Sequence, residues 1–294
     1  MNLYYNQHKK QLMKKINFKY HFLYILIICT LWVFELSAQQ NIKILSYNIL
    51  KGMSLDTTQG KETFVEWVKI QDPDIFAIQE ANNFTKKSLQ EMAQKFNHPY
   101  TVLLRERGFP VAITSKYPIE NINRITDNMW HGFITAKILD YNIVVLHLSP
   151  REYLKRREEI DIILKYIASN PSKKKWIVMG DFNSLSPLDK DNYIDGKEIK
   201  SLQDNNKTEN LIDGKQIDYE VQQKILDFGL IDVVKKHSNS VKLSSVVNRS
   251  RRIDYIYVSK DISNNIVKAE ILKDEFTHYY SDHFPIIMEM KKCK

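Results

Sequence analysis

The sequence predicts an α/β sandwich built on mixed β-sheets, and three observations carry that prediction. Ten apolar, strand-like runs recur along the chain. Helical periodicity falls between some of these runs, whereas others follow one another with no helical stretch between them. With 43% hydrophobic and 27% charged residues, the composition suits an ordinary globular core. It excludes disorder, collagen-like repeats and a coiled coil as the main architecture.

The elements follow in order. IKILSYNIL (42–50) reads as the first strand, and Phe64, Trp67 and Val68 then share one helical face. DIFAIQE (74–80) is the next strand, followed by a helix presenting Leu89, Met92, Ala93 and Phe96. YTVLL (100–104), PVAITS (110–115), GFITAKIL (132–139) and NIVVLHLS (142–149) continue the sheets before a helix carrying Ile160, Ile163, Leu164 and Ile167. KWIVMGDF (175–182), RIDYIYVS (252–259), NIVKAEIL (265–272) and PIIMEM (285–290) complete the strands. The polar stretch from Ser184 to Gln216 holds Pro187, Gly196 and Gly214 and is expected to be a long functional or mobile loop. Within it, DKDNYIDG (189–196) is out of register with a calcium loop and reads as a solvated acidic turn, with Tyr193 isolated. Residues 39–294 carry no repeat or low-complexity linker, so one domain of roughly 255 residues is expected.

The N-terminus has a different character. Residues 1–21 hold Lys9, Lys10, Lys14, Lys15 and Lys19 and no acid, and Phe22–Phe34 is apolar apart from Thr30. That run is short for a bilayer span but fits the core of a signal peptide ending at Ala38. Residues 1–38 are therefore expected to be an export signal, directing a secreted or periplasmic protein. The alternative is an uncleaved signal anchor, which would bring membrane contact. Lipidation at Cys29 fits poorly, because Ile27 and Ile28 stand where small residues are expected. Cleavage removes five lysines and Glu35, which leaves 38 basic and 34 acidic side chains and lowers the net charge from +8 to +4. Net charge then makes no case for a polyanion partner. Cys293 is the one cysteine left, so there is neither an intramolecular disulfide nor a cysteine-rich zinc module.

Polar residues stand at the ends of the apolar strands: Asn48, Glu80, His147, Asp181 with Asn183, Asp254, and Asp282 with His283. Strands with buried bodies deliver such groups to one edge of a sheet. Each has a bland reading alone. Asp181 and Asn183 are turn formers, Glu80 is a helix N-terminal acid, and His147 is a core histidine. Asn48 is a turn residue, and Asp254 pairs with Arg251 or Arg252. Their joint occurrence in this order changes the weighing.

SYNIL, PDIFAIQE, LHLSP, GDFNS, RIDYIYVS and SDHFPI together resemble the endonuclease/exonuclease/phosphatase superfamily, across roughly residues 42–290. The resemblance implies a four-layer sandwich, with two central mixed sheets flanked by helices and the site at one edge. It also implies a metal-dependent phosphoric ester hydrolase, in which His283 oriented by Asp254, or alternatively Asp181, assists attack by water. Asn183 then holds the phosphate or orients a neighbouring carboxylate. His147 stabilises the phosphate or protonates the leaving group.

Chemistry supports this independently. Phosphodiester hydrolysis adds negative charge to an anion, and a hard cation bound by carboxylate and amide oxygens offsets it. Glu80 leads that ligand set, with Asn48 beside it and Asp282 as a further contributor. Mg²⁺ is the default, and Mn²⁺ or Ca²⁺ accept the same donors. Basic residues cluster at 105–107, 151–157, 173–175 and 249–252. The 151–157 cluster reads as a solvated face, whereas Arg249, Arg251 and Arg252 lie just before Asp254, so at least one of them is expected to reach a substrate phosphate. The leading expectation is an exported, monomeric nuclease with little sequence preference. A phospholipid or phosphoinositide hydrolase is the alternative, supported by YYSDHFPI but lacking an obvious exposed aromatic hairpin. A phosphomonoesterase whose site is capped by 184–216 follows, and a catalytically dead binding module comes last.

Overall fold

Fourteen strands and the helices between them are seen in the computed structural model, which describes residues 41–172, 174–238 and 243–292. The segment 1–38, expected to be an export signal, lies outside the described residues, as do Lys173 and Cys293. The strands are β1 (Asn41–Asn48), β2 (Ile75–Gln79), β3 (Tyr100–Leu103), β4 (Ala112–Ser115), β5 (Ile119–Ile125), β6 (Phe133–Ile138) and β7 (Tyr141–His147). They continue with β8 (Trp176–Asp181), β9 (Leu211–Ile212), β10 (Gln216–Ile217), β11 (Leu230–Asp232), β12 (Asp254–Ser259), β13 (Ile266–Ile271) and β14 (Ile286–Lys291). One six-stranded sheet has the order β13-β14-β1-β2-β4-β3, and the other β11-β12-β8-β7-β6-β5. Each has one parallel pair at its heart, β1 with β2 and β7 with β8; all other pairings are antiparallel.

Side-chain alternation makes four layers. Ile44 and Ile75 of the first sheet meet Ile143, Val145, Ile177, Met179 and Ile256 of the second. The alternate residues Leu45, Tyr47, Phe76 and Ile78 point outward beneath the helices α1 (Glu62–Gln71) and α2 (Lys86–Gln94). On the opposite outer face, Val144, Leu146, Val178, Tyr255 and Tyr257 lie under α3 (Tyr153–Ser169). Strands buried on both faces read as unbroken apolar runs, which is why β1, β2, β7 and β8 were legible in the sequence. Each fully buried Ile or Leu side chain stabilises the fold by about 1.5–3 kcal/mol. The expected helical faces at Phe64, Leu89 and Ile160 are buried as read.

Three strands or strand pairs escape the periodicity. Between its ends, β5 is exposed, so it shows no apolar alternation, while β11 and the β9–β10 hairpin are two or three residues long.

The 184–216 stretch is ordered structure, not a loop. Ser186 Oγ accepts from Leu188 N and caps a 3₁₀ turn over Pro187–Tyr193, with the proline in its first turn. α4 (Lys197–Asp204) and the β9–β10 hairpin follow. The acidic turn is also not solvated at its key position. Asp189 is buried and forms ion pairs with Arg252 Nη2 at 2.7 Å and Lys235 Nζ at 3.0 Å. Arg252 Nη1 meets Asp232 Oδ2 at 2.6 Å, and its guanidinium lies 4.4 Å from the centre of the Tyr255 ring. Tyr193 is buried against Leu185, Val246 and Ile253. Arg252, with 0% exposure, is an architectural cation and cannot touch substrate, contrary to the expectation from its position beside Asp254.

His98 gives this core a pH dependence. It is fully buried, its Nε2–H donating to the Pro73 carbonyl at 2.7 Å while Nδ1 accepts from Thr114 Oγ1 at 2.7 Å. Burial pushes its pKa down to about 4. The unfolded chain, with an ordinary value of about 6.5, binds the proton more readily. Stability from this residue is therefore full above pH 6.5 and is lost as the pH falls towards 4. Urea midpoints across that window should decline with acidification. The His98→Gln variant should show a shallower decline; an unchanged slope would remove His98 as a contributor.

Candidate active site

Strand direction gathers the site. β12 runs antiparallel to β8, and β14 antiparallel to β1, so the starts of β12 and β14 share an edge with the ends of β1, β2, β7 and β8. In register, His147 and Asp254 flank Asp181 on the neighbouring strands. Asn48 ends β1, and Glu80 follows β2 by one residue.

His283 and Asp254 form a buried pair. His283 Nδ1–H donates to Asp254 Oδ2 at 2.8 Å, and Ser245 Oγ–H donates to the same oxygen at 2.7 Å. Ser245 Oγ also accepts from the backbone N–H of Ile253 and of Asp254. Ser281 Oγ accepts from His283 N and donates to the Asn48 carbonyl, tying the histidine to the end of β1. Burial alone would depress His283, but Asp254, with Asp181 and Asp282, overcomes it and raises the imidazole to about 10. Burial raises the Asp254 carboxyl, with His283 pulling the other way. The imidazole is thus strongly basic, and its Nε2 faces Asp181 Oδ2 at 3.8 Å.

Asn48 bridges two acids from the opposite sheet edge. Its Nδ2 donates to Asp181 Oδ2 at 3.0 Å and to Glu80 Oε1 at 3.3 Å, while Oδ1 accepts from Leu50 N. Glu80 sits in the left-handed region at φ 57°, a conformation that costs a non-glycine residue roughly 1–2 kcal/mol. Lys51 N–H holds its other oxygen at 2.9 Å. No helix begins at Glu80; α2 starts later, behind Thr85, so the helix-terminal reading of this acid does not apply. Gly180 precedes Asp181 at φ 146°, where a Cβ would stand 2.0 Å from the Leu146 carbonyl oxygen. Only glycine lets β8 lie this close to β7 and places Asp181 beside His147. Asn183 N–H donates to Asp181 Oδ1 at 2.8 Å, and its Nδ2 to the Leu148 carbonyl at 3.0 Å.

The donor set fits a hard cation. Burial raises Glu80, and the Asp181 charge raises it further; Asp254 is likewise lifted by Asp181. Carboxylates that repel one another in a low-dielectric edge are relieved by a divalent cation. Ligand atoms of Asp181, Asp254 and His283 also lie within 4.8 Å of one another. Asp254 Oδ2 and His283 Nδ1 are already spent on their mutual hydrogen bond, whereas Glu80 and Asp181 present carboxylate oxygens on either side of the Asn48 amide, whose Nδ2 faces them both.

His147 Nε2 lies 3.5 Å from Asp181 Oδ2, and its ring stacks on His131 at 4.2 Å with an interplanar angle of 21°. Burial pushes both imidazoles down, His147 to about 3. His131 was not legible as a site residue: it lies in the turn before β6, outside any strand-end pattern. Ser245 likewise carries no sequence signal, while Ser281 sits inside the SDH motif without an evident role there. Asp282 stands at the rim, its side chain 61% exposed, 3.9 Å from His283 Nε2. Arg249 is exposed, and Arg251 pairs with Glu198 at 3.3 Å. Asp254 pairs with neither Arg251 nor Arg252, because the histidine and serine occupy it. The β5–β6 connection carries an exposed aromatic side chain outside every strand-end motif, Trp130, 48% exposed, with the Arg151 guanidinium 5.9 Å from its ring centre. The 151–157 segment is not merely a solvated face either, because Arg156 is buried.

The model of the Endonuclease/Exonuclease/phosphatase family matches residues 45–283. No curated protein matches the sequence. Among solved structures, an AP endonuclease from Archaeoglobus fulgidus is similar at 17% identity and a TM-score of 0.64, covering 85% of this chain and 100% of its own. The 3′ phosphatase NExo from Neisseria, bound to a product DNA hairpin, is similar at 17% identity and a TM-score of 0.63, covering 85% and 99%. A 3′–5′ exonuclease from Neisseria meningitidis follows at 16% and 0.62, covering 85% and 100%.

Proposed function

The chain belongs to the endonuclease/exonuclease/phosphatase family, and we propose that it is an exported, divalent-metal-dependent phosphodiesterase acting on nucleic acid with little sequence preference. The observation that carries this reading is the His283–Asp254 pair turned towards Asp181, beside the Asn48–Glu80 edge.

Glu80 and Asp181 would hold the cation, with the Asn48 amide positioning both carboxylates, and Mg²⁺ is preferred for oxygen donors. When bound, it supplies charge neutralisation at a nonbridging phosphate oxygen. His283 removes a proton from the attacking water at Nε2, since its Nδ1 is committed to Asp254. A cation held at the Glu80 edge would oppose the acids that raise His283 and so favour the neutral imidazole at Nε2. Asp181 is the weaker base candidate, because Oδ1 accepts from Asn183 N and Oδ2 from Asn48. His147, buried and neutral, suits an N–H donor to the phosphate better than a charged leaving-group acid.

Trp130 and Arg151 favour nucleic acid, offering a stacking face beside a cation on the side of the site that carries His131 and His147. NExo, seen with a product DNA hairpin, supports the same substrate class. Tyr279, 76% exposed and four residues before His283, favours the second reading, a phospholipid headgroup hydrolase.

The test is the purified chain incubated with plasmid DNA, RNA and sphingomyelin vesicles in Mg²⁺. Cleavage of DNA or RNA is expected, and hydrolysis of lipid alone would overturn the nuclease reading. Cell fractionation tests export: a released, shortened band is expected, and a full-length membrane band contradicts cleavage.

A further inference from the structure

The 184–218 segment walls an open cavity of about 90 Å³ beside Asn183. One water needs roughly 10–15 Å³ by a comparable measure, so this space admits a polyatomic group. Asn183 forms part of the wall, and the same residue donates its backbone N–H to Asp181. Asn183 is thus the residue that the cavity shares with the catalytic edge.

The wall is under-compensated in negative charge. Arg156, Arg251 and Lys207 line it, against Glu198 and Asp218. Glu198 pairs with Arg251 at 3.3 Å and Asp218 Oδ1 with Arg157 at 2.6 Å, while Asp218 Oδ2 is buried without a donor and its charge acts on Arg156. Arg156 is 2% exposed and has no acid within ion-pair distance among the described residues. Its Nη1 donates to neutral acceptors, the Ser149 and Arg151 carbonyls and Asn210 Oδ1. The Nε–H groups of Arg156 and Arg251 are both buried and take no acceptor. Three cations against two acids leave the cavity wall with one positive charge in excess, which an anion offsets.

We propose that this cavity is a subsite for a second phosphate of the substrate, held by Arg156, Arg251 and Lys207 next to the scissile one. This rests on the phosphodiesterase reading of the adjacent site. The second phosphate is either a flanking diester in an oligonucleotide or a terminal monoester. Glu198 competes with it for Arg251.

Two measurements test the subsite. First, inorganic phosphate is titrated calorimetrically into the full chain without divalent metal. Binding should survive His283→Ala, weaken roughly tenfold in Arg251→Gln and in Lys207→Gln, and tighten in Glu198→Gln. Arg156 is left intact because it ties the 149–151 turn and the Asn210 side chain to α3. Phosphate binding that is lost in His283→Ala but kept in Arg251→Gln overturns the proposal. Second, KM is compared for bis-p-nitrophenyl phosphate, a dinucleotide with a terminal phosphate and a trinucleotide. The Arg251 and Lys207 variants should raise KM about tenfold for one or both nucleotides and leave the single-phosphate substrate within about twofold. Loss confined to the dinucleotide assigns a terminal phosphate, and loss on the trinucleotide a flanking one. An equal effect on all three substrates, or none, overturns the subsite. If the wild-type chain hydrolyses nothing, the phosphodiesterase reading falls, while the phosphate titration still decides the cavity.

Discussion

His283→Ala lowers kcat by about 10²–10⁴-fold while the protein remains folded. The imidazole is the site's most basic neutralisable group, and Nδ1 is fixed by Asp254 so that Nε2 alone faces the catalytic edge. Removing the ring deletes the proton acceptor without unpinning its support. Ser245 still donates to Asp254, whose carboxyl burial already pushes up, so it accepts a proton instead of standing as an unpaired buried charge. Asp254→Asn should be milder, because an amide oxygen can still accept from Nδ1 but loses the charge that raises the imidazole. Circular dichroism and kcat measured on the same preparations check this. Retained turnover in His283→Ala would transfer the base to Asp181.

Arg252→Met costs about 3–5 kcal/mol of stability. The substitution leaves Asp189 and Asp232 buried with their shared cation gone, although Lys235 still reaches Asp189. For a domain of this size such a loss lowers Tm by roughly 10 °C. KM of the folded fraction should hardly move, since Arg252 is sealed from solvent. Asp189→Asn should lose less, because one partner of the cation remains, and the double variant should fall short of the summed losses. A raised KM with unchanged Tm would return Arg252 to the substrate, against its burial.

Asn48, Glu80, His147, Asp181, Asp254 and His283 were legible because each stands at the end of an apolar run, and strand direction does the rest. Ser245 and His131 were not, because they lie in turns and reach the site through contacts that leave no periodic mark. Arg252 sits two residues from Asp254, so proximity in sequence suggested a phosphate contact. Its real partner, Asp189, lies sixty-three residues away in a segment whose Pro, Gly and Asp content reads as loop. That segment's order comes from the buried ion cluster and Tyr193, which are long-range effects that composition cannot display. β5 escaped for the opposite reason: it is an exposed edge with no apolar face to betray it.

The central claim is metal-dependent phosphodiester hydrolysis at the Asn48–Glu80–Asp181 edge. The direct measurement is hydrolysis of bis-p-nitrophenyl phosphate by the purified chain in Mg²⁺, in EDTA, and in EDTA followed by excess Mg²⁺, alongside Glu80→Ala. Turnover that stops in EDTA, returns with Mg²⁺ and is lost in Glu80→Ala is the predicted result. Equal turnover with and without metal, or full activity in Glu80→Ala, would contradict it.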